Sequence, residues 1–219
     1  MGVRRIRPNP WSTTGFIASD KNGGLTAHES GLERDFAILL EFDPRVESFE
    51  AQPLRITYRS SSGRPTSGVP DYLVTFVASQ SCPRELVDVK YRSEVFQSWT
   101  TLKPRLKAAL RHARDNGWTY RIKTETEIRT PYLMAARFLL PFRRLAPDPI
   151  ALEAIQSVLK SAGKSTPERI LQQIAEDRWR RAELLPTLWN LIATFAVRVN
   201  FDEPLTMGSV VSARAPNAS

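Results

Sequence analysis

Asp71, Asp88 and Lys90 are the residues of this chain whose types and spacing point most directly to chemistry. Asp71 follows Pro70 at the mouth of the apolar run YLVTFVA, and Asp88-Val89-Lys90 interrupts the apolar run LVDVKY. In a strand alternate side chains share a face, so Asp88 and Lys90 point one way while Val87 and Val89 point into a core. If 72–78 and 85–91 pair as a hairpin, Asp71 falls beside Asp88. Neighbouring carboxylates repel, and a divalent cation between them is the usual relief. A lysine beside such an ion holds or activates a water for in-line attack on phosphorus. Glu33 adds a further carboxylate on the first turn of an upstream helix. The bland alternative is an exposed edge strand whose polar face pairs Asp88 with Lys90. The apolar setting speaks against it, because burying a charged pair is costly.

The elements that must hold these residues follow from the pattern around them. A helix over 29–42 carries Leu32, Phe36, Leu39 and Leu40 at helical spacing, with Ser30 as N-cap and Glu33 three residues on, and Asp43-Pro44 stops it. Short β-type runs follow at 54–58, 72–78 and 85–91, then an amphipathic helix over 96–115 ending at Asn116-Gly117, then a strand over 119–124. The order is that of an α/β unit with helices packed on a mixed sheet. The stretch 126–144 reads as helical within the limits set by Pro131 and Pro141, and Pro147-Asp148-Pro149 reads as a linker. Beyond it come helices over 150–161, 166–177 (Thr166 capping, Pro167 in the first turn) and 179–195, then strands at 197–201 and 205–212. Three helices and a hairpin in that order form a winged-helix arrangement. The expected organisation is an arm over 1–24, an α/β domain over 25–145, a winged-helix domain over 147–212 and a tail over 213–219.

Composition narrows the chemistry. With Cys82 as its single cysteine and His28 and His112 as its only histidines, the chain has neither a disulfide framework nor a thiolate or histidine metal centre, so a metal would sit on carboxylates. That favours Mg²⁺, with Mn²⁺ able to substitute. The absence of a long apolar run argues against a membrane span, and the basic start lacks the apolar stretch of a signal peptide, so a cytoplasmic location is expected. A net charge of +8 and a pI near 10.0 suit a polyanionic partner as well as a solvated basic surface.

Glu29-Ser-Gly-Leu-Glu-Arg-Asp-Phe36 with its continuation LLEFDP, Phe49-Glu-Ala-Gln-Pro-Leu54, and the pair VPDYLV and LVDVKY resemble the TnsA endonuclease subunit of heteromeric cut-and-paste transposases. The resemblance implies a restriction-endonuclease-like PD-(D/E)xK core. It implies a catalytic set in which Glu33 is the acid of the Ser-x-x-Glu helix start, Asp71 precedes a strand and Lys90 ends the acid-x-Lys triplet. Asp88 stands where one family member has Gln and is the more usual acid of the wider superfamily, so Glu33, Asp71 and Asp88 are the expected metal ligands. The resemblance further implies nicking of the 5′ strands at transposon ends in double-stranded DNA. A TnsB-like DDE transposase would cut the 3′ strands, and a TnsC-like AAA+ regulator would meet the C-terminal domain. A stand-alone restriction or repair nuclease and a non-catalytic DNA-binding assembly protein are the rival readings.

Other residues have blander readings beside sharper ones. Gln52 is expected either near the carboxylates or closing a turn. Lys103, Arg105, Lys107, Arg111 and Arg114 read as a solvated face or as phosphate contacts. Arg178, Arg180 and Arg181 open the helix a winged-helix domain would present to DNA, with Trp179 and Trp189 as core or interface anchors.

Overall fold

The computed structural model describes residues 15–214, which fall into one compact unit ending at Arg129 and a second beginning at Thr130. In the first unit, β1 (Gly15–Ser19) and β2 (Gly24–His28) form an antiparallel hairpin, so the end of the expected arm is strand rather than coil. There follow α1 (Gly31–Phe42), β3 (Val46–Ala51), β4 (Ile56–Arg59), β5 (Pro65–Gly68), β6 (Tyr72–Phe76) and β7 (Glu85–Val89). After them come α2 (Arg92–Gln97), α3 (Trp99–Asp115), β8 (Thr119–Lys123) and α4 (Glu125–Ile128). The single helix expected over 96–115 is thus a short helix and a long one, parted at Ser98.

The central sheet runs β3-β6-β7-β8, antiparallel except for the parallel β7–β8 pair. β4 and β5 pair only with each other, as a separate hairpin. β7 is therefore an interior strand, and the edge-strand alternative for Asp88 and Lys90 falls. Both sheet faces are covered. On one, Leu32, Phe36, Ala37 and Leu40 of α1 pack against Val46, Phe49, Tyr72, Val74, Val87 and Val89, with Phe36 and Tyr72 edge to face at 5.5 Å. Each such fully buried side chain contributes about 1.5–3 kcal/mol. On the other, Leu73 and Leu86 meet Ile56 of β4 and Ala109 and Ala113 of α3.

The local signals for α1 and α3 behave as expected. Ser30 Oγ accepts the Glu33 N–H at 3.1 Å to open α1, and Gly117, at φ 70°, follows α3 in the left-handed conformation that needs no Cβ.

The second unit contains α5 (Pro131–Arg143), α6 (Pro149–Ala162), β9 (Lys164–Ser165), α7 (Pro167–Ile174), α8 (Arg178–Ala193), β10 (Val197–Val199) and β11 (Val211–Ala213). Its strands form an antiparallel sheet in the order β10-β11-β9, and Thr166 caps α7 ahead of Pro167. The division of the chain precedes the Pro147-Asp148-Pro149 stretch. α5 packs with α8 instead: Phe138 meets Trp189 edge to face at 5.2 Å, and Asn190 Nδ2 donates to the carbonyls of Phe142 and Leu145, each at 2.9 Å. Asp148, expected in a linker, accepts the Ala151 N–H and starts α6. Trp189 is buried as a core anchor, whereas Trp179 is 66% exposed with the Arg178 guanidinium over its ring.

Candidate active site

β6 and β7 pair with Tyr72 opposite Val87, so Asp71 stands across from Asp88 at the end of the ladder. The backbone of Asp71 is held on both sides: its N–H donates to Val87 O at 3.0 Å, and its carbonyl accepts the Gln52 N–H at 2.9 Å. Its carboxylate is only 13% exposed; Oδ2 accepts the Val89 N–H at 2.6 Å and lies 3.5 Å from Lys90 Nζ. No protein donor reaches Oδ1 among the described residues.

Glu33 arrives from α1. Its Oε2 accepts the Glu29 N–H at 2.8 Å and its Oε1 the Ser30 hydroxyl at 3.1 Å. The Tyr72 hydroxyl donates to the Glu33 carbonyl at 3.1 Å, which ties the start of α1 to the residue next to Asp71. Glu33 therefore caps its helix and faces the sheet end at once.

The electrostatics follow from this crowding. Burial pushes the Asp71 carboxyl up to about 7; the Lys90 ammonium pulls it down, while Asp88 and Glu33 add to the rise and the Val89 N–H opposes it. For Lys90, burial acts downward, but Asp71 and Asp88 outweigh it and hold the ammonium above its usual range. The structure thus brings Glu33, Asp71, Asp88 and Lys90 into one electrostatic neighbourhood.

Asp88 has partners that the sequence did not reveal. It is fully buried, its Oδ1 accepting from Arg105 Nη2 at 2.5 Å and its Oδ2 from the Tyr120 hydroxyl at 2.6 Å. The same Arg105 nitrogen donates to Val69 O at 2.9 Å. The Arg105 stem lies against Gly68, where a Cβ would come 2.9 Å from Nε, so a side chain at this position would displace the arginine. Arg105 is therefore no solvated cation of α3; it neutralises a buried acid, as such a charge requires. A helix cation opposite an acidic strand position was the available signal, but it needed the parallel β7–β8 pairing that swings α3 back over the sheet.

Among the described residues, no three histidine, cysteine, aspartate or glutamate side chains stand together as a ready-made metal cage. The donor set still suits magnesium, which commonly takes one or two carboxylates and completes its shell with water and substrate phosphate. Asp71, with an oxygen unpartnered among the described residues and a carboxyl crowded by like charge, fits that role, and Glu33 fits by giving up the Glu29 N–H or the Ser30 hydroxyl. Asp88 fits only by exchanging Arg105 or Tyr120 for the ion.

Gln52 lies opposite Asp71 at φ 51°, buried, with its Oε1 unpartnered among the described residues. Its turn-closing backbone role is met by the bond to Asp71. Arg178 and Arg180 are exposed at the start of α8. Among the described residues no helix is long and apolar enough to cross a membrane.

No curated protein matches the chain. Residues 43–125 match the family model for the TnsA-like endonuclease N-terminal region, a stretch that includes Asp71, Asp88 and Lys90 and begins after Glu33. From Asp43 to Glu125, the mixed sheet with its acid–lysine end is thus similar to the TnsA-like endonuclease N-terminal region.

Proposed function

We propose that this protein is a Mg²⁺-dependent DNA endonuclease subunit of a TnsABC-type transposase, nicking the 5′ strands at transposon ends. The observation that carries the reading is the Asp71 carboxyl, buried between Lys90 and further acids in a domain of TnsA-like endonuclease kind. Asp71 and Glu33 would hold the ion, and Asp88 would join them on releasing Arg105 or Tyr120. Bound there, Mg²⁺ would supply Lewis-acid polarisation of a phosphoryl oxygen and charge neutralisation. Lys90 stays protonated beside Asp71, so its part is to orient a water and balance developing negative charge rather than to take the proton. The product would carry a 5′-phosphate and a 3′-hydroxyl. A TnsB-like transposase would cut the other strands. The second unit, in which α6, β9, α7, α8, β10 and β11 follow one another after α5, would form a winged-helix domain and dock a TnsC-like regulator.

The test is cleavage of transposon-end DNA in Mg²⁺, with the protein alone and with TnsB-like and TnsC-like partners. Partner-dependent nicking of the 5′ strand that disappears in Asp71→Ala is the expected result. Cutting by the protein alone would instead indicate an independent nuclease. No cutting in any mixture would leave a non-catalytic assembly protein.

A further inference from the structure

The net charge of +8 is not spread over the chain. Residues 51–69 and 99–114 together hold eight of the 31 lysines and arginines (Arg55, Arg59, Arg64, Lys103, Arg105, Lys107, Arg111, Arg114) and no acid; the remaining 23 balance the 23 acids. The fold then packs these segments against each other, Ile56 of β4 meeting Ala109 and Ala113 of α3. Between them lies a cleft of about 600 Å³ lined by Thr57, Tyr58, Arg59, Lys107 and Arg111, with Pro65 and Pro104 at its walls. Pro104, Lys107, Ala108 and Arg111 fall on one face of α3, as their spacing by three and four residues requires. Arg59, Lys107 and Arg111 are exposed and, among the described residues, form no salt bridge.

Arg59 Nη1 donates to the Gly63 carbonyl at 3.1 Å but meets no acid among the described residues. Cations along a cleft without acids repel one another, and a row of phosphates satisfies them with the release of condensed counterions. Tyr58 and Thr57 add hydroxyl donors of the kind that contact phosphate oxygens. Arg105 connects the cleft to the acids: its stem lies on Gly68 of the same hairpin, and its guanidinium sits on Asp88. We infer that the cleft between the β4–β5 hairpin and α3 is the backbone-binding track of this domain, through which duplex DNA is led to the carboxylate site by Arg59, Lys107 and Arg111. The choice of DNA rests on the nuclease reading; the choice of a polyphosphate backbone rests on the cleft itself. Phosphate contacts position a duplex without reading its sequence, so the track gives register and no base preference.

The experiment is binding of a short fluorescent DNA duplex by the full-length protein in EDTA, followed by anisotropy across a salt series. Replacing Arg59, Lys107 and Arg111 together with alanine should weaken binding roughly 10- to 100-fold at low salt. It should also flatten the slope of log K against log salt by about one unit per cation removed. Arg111→Lys should keep the wild-type slope, and Lys160→Ala with Lys164→Ala, exposed cations of the second unit, should change nothing. Lys107→Glu alone, at an exposed helix position, reports the same loss should the triple variant fold poorly. Wild-type affinity and slope in the triple variant, an equal loss in the Lys160/Lys164 control, or no duplex binding by the wild type would each overturn the track. Tighter binding of an RNA duplex would overturn its assignment to DNA. The outcome is separable from the nuclease reading: cleft-dependent binding without cleavage in any mixture keeps the track and removes the nuclease, and cleavage with cleft-independent binding does the reverse.

Discussion

α1 and α3 cover opposite faces of one sheet with different materials. α1 fills the side that meets the sheet with large apolar side chains, Leu32, Phe36 and Leu40. Of its three carboxylates only Glu33 bears on Asp71, while the buried Asp35 and Glu41 accept from Arg129 and Ser19. α3 buries Leu106 and the small Ala109 and Ala113, and uses the room this leaves to bring Arg105 against the buried Asp88. The dry face sets how stable the domain is. The other face spends packing density on charge, and its loss should register in ligand binding before it registers in folding.

The largest effect tests the charged face. Asp71→Ala should lower partner-dependent nicking about 1000-fold, the equivalent of about 4 kcal/mol, while the protein still unfolds cooperatively in EDTA; retained cleavage would remove Asp71 from the site. On the dry face, Phe36→Ala should cost about 3–5 kcal/mol by leaving a cavity. Ala113→Leu should cost about 1–3 kcal/mol by overfilling the α3 side. Urea denaturation of both variants separates the two modes, and equal costs would erase the contrast.

A subtler consequence concerns pH. Because the folded protein holds the Asp71 proton up to about 7, against 3.8 for an ordinary aspartate, this group's contribution to stability is complete below about pH 4 and is lost as pH rises through 7. In EDTA the wild type should lose a few degrees of Tm between pH 5 and 8 relative to Asp71→Asn, and Mg²⁺ should restore more at pH 8 than at pH 6. Parallel melting curves for the two proteins would show that Asp71 does not titrate there. The smallest effect is Tyr120→Phe, which should cost about 1 kcal/mol. It should also enlarge the Mg²⁺-induced rise in Tm, since Asp88 Oδ2 loses its donor; an unchanged Mg²⁺ response would keep Asp88 out of the ion's shell.

Much of the site was legible because it depends on local pattern. Ser30 and Glu33 announce a helix start, and the alternation around Asp88 and Lys90 with Asp71 upstream announces paired strands. β3 was hidden: a register irregularity between Val46 and Ser48 breaks the period of two, so Val46 and Phe49 reach the same core out of step. The β1–β2 hairpin is short and buries the polar Ser19, Thr26 and His28 while Phe16 and Leu25 stand outside, so it carries little apolar signal. α5 reads as a helix in sequence, but its allegiance to α8 depends on Asn190 and Trp189 far downstream. Arg105 and Tyr120 were illegible as partners of Asp88 for the same reason: their roles come from the strand pairing, and a lone cation on a helix reads as solvated.

The parallel pairing of β7 with β8 bears also on how the domain assembles. Arg105 and Tyr120 lie 17 and 32 residues from Asp88, within a single strand–helix–strand segment, and Asp71 joins through the adjacent hairpin. Glu33 is tied in by a contact spanning 39 residues, Tyr72 to its carbonyl. Short loops close at lower entropic cost than long ones. Asp88 is thus neutralised by Arg105 inside a locally closing segment, and the last acid is delivered with α1 from outside it. On that ordering the chain never has to gather all its carboxylates before a cation of its own is in place.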